Sequence, residues 1–149
     1  MGFESGPNYD DGPYDGLAVY CSDGRFSRSF HDFIVSGLGL VRCDRVVVPG
    51  GPAALGGRHD TDPEGLRLLD EIAFLCEAHE IDRVVLIQHD LCAFYLARLG
   101  ATEESLRPLQ LEDLAHAIDL TRVATGIERV EGYIARLVGR VVVFDEAMV

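Results

Sequence analysis

Cys21, Asp23 and Arg25 stand in a C-x-D-x-R pattern, and His89 and Cys92 form an H-x-x-C pattern in the second half of the chain. Between them they supply two thiolates and one imidazole. Zinc takes N and S ligands tetrahedrally, and two Cys with one His and an open fourth position is an established catalytic set. The spacing of His89 and Cys92 lets both turn toward one ion as the chain leaves a strand, while Cys21 closes the set from a neighbouring strand. The expected metal ligands are therefore Cys21, His89 and Cys92, with Zn2+ as the cofactor and the fourth position contested by Asp23 and a water. H-x-x-C alone arises by chance in many proteins, so the weight rests on both patterns falling at strand ends. The plain alternative is a buried cysteine beside two satisfied polar residues.

Other readings of the same residues fit less well. A phosphatase-like C-x5-R loop needs Arg at position 27, where Ser27 stands, and Arg28 comes one residue late. The glycines from Gly50 to Gly57 follow a strand but lack the G-x-G-x-x-G order, and Pro52 removes an N–H that a phosphate loop needs. His59 could relay protons, although a solvated loop histidine is the simpler account. Cys43 and Cys76 have no partner at metal spacing and read as small hydrophobes. Packing is the safer account of Gln88 and Phe26, the neighbours of the two motifs.

The elements that must hold these residues follow from the apolar pattern. Leu17 to Tyr20 reads as a buried strand ending at Cys21. From Ser27, a plausible N-cap, Phe30, Phe33, Ile34 and Leu38 recur at helical spacing up to Gly37 and Gly39. Arg45 to Val48 is a second short strand, stopped by Pro49, Gly50, Gly51 and Pro52, and a loop runs to about Thr61. Asp62 caps a helix with Pro63 at its first position, and Leu66, Leu69, Ile72, Ala73 and Cys76 form its expected apolar face. Arg83 to Gln88 is a third strand that delivers His89.

Leu111, Leu114, Ala115, Ile118 and Val123 mark a further helix, and Arg140 to Phe144 a last strand. Between them Val130, Ile134 and Leu137 fit a helical period, whereas Tyr133, Ala135 and Leu137, followed by a turn at Val138 and Gly139, fit a hairpin, which is the preferred reading. Strands alternating with helices predict an α/β fold with a parallel β-sheet core, helices on both faces and ligands beyond the strand carboxyl ends near a switch point. Cys21 and His89 both lie there. Residues 17–149 are expected to form one domain, preceded by a tail or a partner-bound arm over 1–16.

At these positions the sequence resembles the β-class carbonic anhydrases, whose signature is C-x-D-x-R followed, after an intervening α/β unit, by H-x-x-C. The likeness runs from Leu17 to about Leu99. It implies zinc on Cys21, His89 and Cys92, an Asp23–Arg25 pair beside the metal, an antiparallel edge strand and a homodimer. It further implies reversible hydration of carbon dioxide to bicarbonate. Departures from the family pattern are Gln88 and Ala93 where glycines are usual, Val48-Pro49-Gly50-Gly51 where Arg-Asn-Ala-Gly is common, and no substrate-side glutamine before Cys21. These favour two alternatives: a zinc-binding relative without hydration activity, or a zinc hydrolase acting on another small molecule. Two thiolates cancel the charge of zinc, so hydration is expected to favour alkaline pH.

Composition narrows the partners. A net charge of -12, from 25 acidic against 13 basic residues, repels polyanions and anionic membranes, and no segment concentrates Lys or Arg. Nucleic acid and membrane are thus excluded as expected partners, leaving a small-molecule substrate. Met1 to Gly16 has no basic n-region and no apolar h-region, so a cytoplasmic location is expected, where four cysteines point to metal binding or catalysis before disulfides. The apolar edge strand Arg140 to Phe144 would expose unpaired backbone in a monomer, a second reason to expect a homodimer.

Overall fold

Residues 1–57 and 63–147 are described by the structure, a computed structural model. His59 and the Asp62 cap lie outside the described residues. Five strands form one sheet: β1 (Gly16–Cys21), β2 (Cys43–Val48), β3 (Arg83–His89), β4 (Arg129–Val138) and β5 (Val141–Glu146), in the spatial order β2-β1-β3-β4-β5. All neighbours are parallel except β4 and β5, so the expected α/β fold and antiparallel edge strand are both present.

Parallel strands must be covered on both faces, and β1 meets that demand with six buried residues in a row. One face packs Leu17, Val19, Val84, Leu86 and Ile134 against helices α2 (Pro63–Ala78) and α3 (Glu103–Thr125). The other packs Ala18, Tyr20, Val85 and Ile87 against Phe30 and Ile34. These belong to α1 (Ser27–Asp32) and the π-helical segment Phe33–Gly37 that continues it. The expected Ser27 cap is absent: Phe26 is the N-cap residue, and the Ser27 hydroxyl donates instead to the Gly24 carbonyl at 3.1 Å.

Two helix faces differ from expectation. On α2 the buried line is Gly65, Leu68, Ile72 and Cys76, while Leu66 is 51% exposed. At about 100° per residue Leu66 and Leu68 cannot share a face, and the core takes Leu68. On α3 Leu111 and Val123 point outward, and the buried line is Leu106, Gln110, Asp113, Leu114, Ala117, Ile118 and Thr121. Three polar residues on that line hid it from an apolar count. The helix begins earlier than expected, at a capping box in which Thr102 and Ser105 satisfy each other's backbone N–H.

The ambiguous segment is a strand and the hairpin is real. β4 follows β3 from Arg83↔Arg129 to His89↔Ala135 and then turns through Gly139, at φ 62°, into β5. The last strand begins at Val141, one residue after the expected Arg140. From Asp10 onward the N-terminal segment lies on its own chain: Arg42 pairs with Asp10, the Asp15 carboxylate accepts the Arg42 N–H at 2.8 Å, and Tyr14 stacks on His79 with centroids 4.1 Å apart. Among the described residues no helix is long and apolar enough to cross a membrane.

A half-buried ion pair ties the start of β3 to β4. Arg83 meets Glu131 through Nε at 2.6 Å and Nη2 at 3.0 Å, and the Tyr133 hydroxyl donates to the same carboxylate at 3.1 Å. Burial alone would push Glu131 up, but Arg83, with help from the Tyr133 hydroxyl and Arg129, outweighs it and holds the carboxyl below its ordinary value. The unfolded chain therefore binds the extra proton as pH falls, so this stability is present above the ordinary Glu value and lost below it. Glu131→Gln should cost about 1–3 kcal/mol at neutral pH, read by urea unfolding. The gap between variant and wild type should shrink as pH drops through the depressed pKa of Glu131, and a gap that is constant with pH would contradict the assignment.

Candidate metal centre

The last residue of β1 is Cys21 and the last of β3 is His89. Register pairs between these strands run from Leu17↔Val84 to Val19↔Leu86 and stop there, so both strand ends continue past the final pair into a crevice. The order reverses here, because the chain leaves β1 for β2 on one side and returns to β3 on the other. This is the switch point at which open α/β sheets bind ligands.

Cys21, His89 and Cys92 meet in that crevice, each offering a ligand atom, with all three atoms within 4.8 Å of one another. Cys21 is 7% exposed, and His89 and Cys92 are fully buried. The His89 ring is fixed from both sides. Its Nδ1 meets the Asp90 carbonyl at 2.6 Å, while Phe26 and Phe30 pack on the ring with centroids at 4.5 and 5.9 Å. A proton on Nδ1 leaves Nε2 with a free lone pair, and Nε2 is buried without a hydrogen-bond partner. Ligating histidines are oriented in this way by the bond their other nitrogen makes.

The sulfurs share one charge. A hydrogen bond from the Cys92 thiol, opposed by burial and aided by the adjacent His89 and the N–H groups of Gly50 and Asp23, brings Cys21 down to about 4. The Cys21 thiolate and burial together push Cys92 up. Cys43 and Cys76, where burial raises the pKa to about 11, are the small hydrophobes the sequence suggested. All four cysteines are free. An unpartnered buried nitrogen beside a thiolate and a thiol is a donor set that suits a soft-to-borderline divalent metal.

Asp23 does not join the cluster. Arg25 grips it through Nη2 at 2.7 Å and Nε at 3.1 and 3.2 Å, and the Arg25 backbone N–H adds a bond at 2.9 Å. The Arg25 guanidinium beside Asp23 holds its carboxyl below the usual range. Arg25 also reaches the Leu91 carbonyl at 3.2 Å, between His89 and Cys92, and so joins the two motifs.

Several contributors escaped the sequence reading. Gly50 and Gly51, read as a stop signal and as a departure from the family's Arg-Asn-Ala-Gly but not as contacts of Cys21, form the wall around it. The Gly50 N–H donates to Cys21 Sγ at 3.3 Å, and a Cβ on Gly51 would lie 2.8 Å from the Cys21 backbone nitrogen. Both have positive φ, which only glycine adopts without strain. The pair Gly-Gly after a strand was the available signal. Gln88 and Phe26 do pack, but Phe26 packs on a cluster residue and Gln88 donates to the Tyr95 hydroxyl at 2.9 Å.

No family model matches the chain, and no curated protein matches it in sequence. Among solved structures, a carbonic anhydrase from Streptococcus mutans is similar with a TM-score of 0.57, over 95% of this chain and 88% of that one, at 15% identity. The chain shares its fold with that carbonic anhydrase. The β-carbonic anhydrase CafA of Aspergillus fumigatus is also similar, with a TM-score of 0.47 at 16% identity over 93% of this chain and 78% of that one.

The shared charge gives a measurable expectation for metal-free protein. Ultraviolet thiolate absorbance should report one ionised cysteine per chain at neutral pH, with a midpoint well below the ordinary thiol value. Cys92→Ala, which removes the donor, should move that midpoint up toward the ordinary thiol value of about 8.5. A midpoint in the variant equal to that of wild type would show that Cys92 does not hold the thiolate.

Proposed function

We propose that this protein is a zinc-dependent lyase that reversibly hydrates carbon dioxide to bicarbonate, with zinc held by Cys21, His89 and Cys92. The observation that carries this reading is the buried, unpartnered Nε2 of His89 beside two cysteine sulfurs at the switch point of a β-carbonic anhydrase fold. Bound there, zinc would supply Lewis acidity, which makes water a better nucleophile, and because two thiolates offset its charge that effect would be strongest at alkaline pH.

The chain's own groups do the rest. Arg25 occupies the Asp23 carboxylate with a fork of hydrogen bonds and so keeps it off the fourth position. Phe26 and Phe30 shield His89 from solvent. A cavity of about 260 Å³ has an apolar wall of Val46, Val48, Ala54, Leu68 and Phe94 and a charged rim of Glu64, Arg67, Glu71 and Arg98, and its apolar wall suits a small apolar substrate although no cluster residue lines it. Gly50 touches both Phe94 on its wall and Cys21.

Arg25→Ala should abolish hydration with zinc content unchanged, because the freed Asp23 competes for the fourth position, and Asp23→Asn should not lose activity in this way. Stopped-flow hydration against pH, with zinc measured in each protein, tests this. Equal rates in all three would rule out the Asp23–Arg25 switch, and an inactive zinc-loaded wild type would overturn the enzymatic reading. The second reading is a zinc protein without hydration activity. It is favoured by the complete burial of His89 and Cys92 and by the closeness of Gly51 to Cys21, which leave little room for substrate.

The proposal includes a cytoplasmic homodimer. Four free cysteines suit a reducing compartment. β2 and β5 are the sheet edges, and Val47 and Val141 on them are 44% and 64% exposed, so each edge offers backbone and apolar surface for a second copy. Light scattering at micromolar concentration should give twice the mass of the chain, and a monomer would remove this part of the proposal.

A further inference from the structure

We infer that one polar face of α3 positions the ligand loop and thereby sets how tightly the metal is held. The inference rests on the reading of Cys21, His89 and Cys92 as ligands. Arg107, Gln110 and Asp113 recur every three residues, so they line one face of the helix. Each reaches the loop or its flank. The Arg107 guanidinium pairs with the Asp90 carboxylate, and Gln110 Nε2 donates to the His89 carbonyl at 2.7 Å. Asp113 accepts the Tyr95 hydroxyl at 2.7 Å, and that hydroxyl in turn accepts from Gln88. Gln88 precedes His89 and Tyr95 follows Cys92, so α3 holds the loop in its middle and at both ends.

Asp90 is the centre of this arrangement. Its carbonyl accepts the hydrogen bond from His89 Nδ1–H, and its carboxylate lies between Arg107 and the Leu137 N–H, which donates at 2.8 Å. The next residue, Leu91, has φ 59°, a left-handed backbone that a leucine adopts only when its surroundings impose it. A helix that had only to pack here would be apolar, as α3 is one turn later at Leu114, Ala117 and Ile118. Instead Gln110 and Asp113 are buried at 0% and 2% exposure where the helix meets the loop. Partners that orient metal ligands typically govern affinity by 10–100-fold.

The test is zinc affinity of the full chain, by chelator competition, for wild type, Arg107→Ala, Gln110→Leu and Thr121→Val. Thr121 is buried on the same helix but bonds within it, to the Ala117 carbonyl at 2.7 Å, and serves as the control. Arg107→Ala and Gln110→Leu should each weaken zinc binding about 10–100-fold while still taking up one zinc at saturation. Thr121→Val should bind as wild type does, even where its metal-free unfolding midpoint falls. Should Gln110→Leu not fold, Arg107→Ala decides, because its side chain is one-third exposed. Affinities of the folded variants within threefold of wild type would overturn the positioning role alone. Wild type binding no zinc, or binding undiminished in Cys21→Ser, would overturn the ligand assignment and the inference with it.

Discussion

The parallel pairing of β1 with β3 is the constraint on which the site depends. Its few register pairs place Cys21 and His89 beside each other although the whole β2 and α2 excursion separates them in sequence. Because that pairing ends at Val19 and Leu86, while Cys21 stays paired with Val48 of β2 and His89 with Ala135 of β4, the two strand ends part and leave a gap between them. Everything else in the site is arranged around that gap. The turn at Gly50 and Gly51 closes it from the β2 side, the ring of Phe26 from the α1 side, and α3 supports it from behind.

Electrostatics within the gap are economical. Metal-free, the cluster holds one thiolate supported by a thiol, two backbone donors and an imidazole, so a single charge is buried in a set of groups aimed at it. The nearby acid and base, Asp23 and Arg25, neutralise each other at the rim, where Asp23 is 15% and Arg25 61% exposed.

The sequence made the fold class legible because parallel strands buried on both faces leave short unbroken apolar runs, as in Leu17 to Tyr20 and Val84 to Ile87. The cluster was legible for a related reason: a cysteine and a histidine stood at the ends of those runs. What was not legible were contributions made through the backbone or through polar residues on a buried helix face. Gly50 acts by an N–H and by the side chain it lacks, and neither leaves a pattern that a residue count detects. Gln110 and Asp113 broke the apolar period of α3, which is why Leu111 and Val123 were wrongly placed in its core. The irregularity that spoiled the helix reading marks the place where the helix meets the loop.

The gap at the switch point also orders events in time. Cys21 is made early in the chain, but its neighbour His89 arrives only after a second strand and a crossover helix, and the supporting face of α3 later still. Contacts of such sequence separation form slowly, because the closure entropy of the intervening chain must be met before they contribute. Local pieces such as the β4–β5 hairpin can form without any of this. The Cys21, His89 and Cys92 side chains can converge only in a chain whose crossover has already been laid down correctly, so a partly folded molecule presents scattered thiols and a lone imidazole. Capture of a metal ion would then act as a seal on finished topology, locking the two halves of the sheet together once they have met.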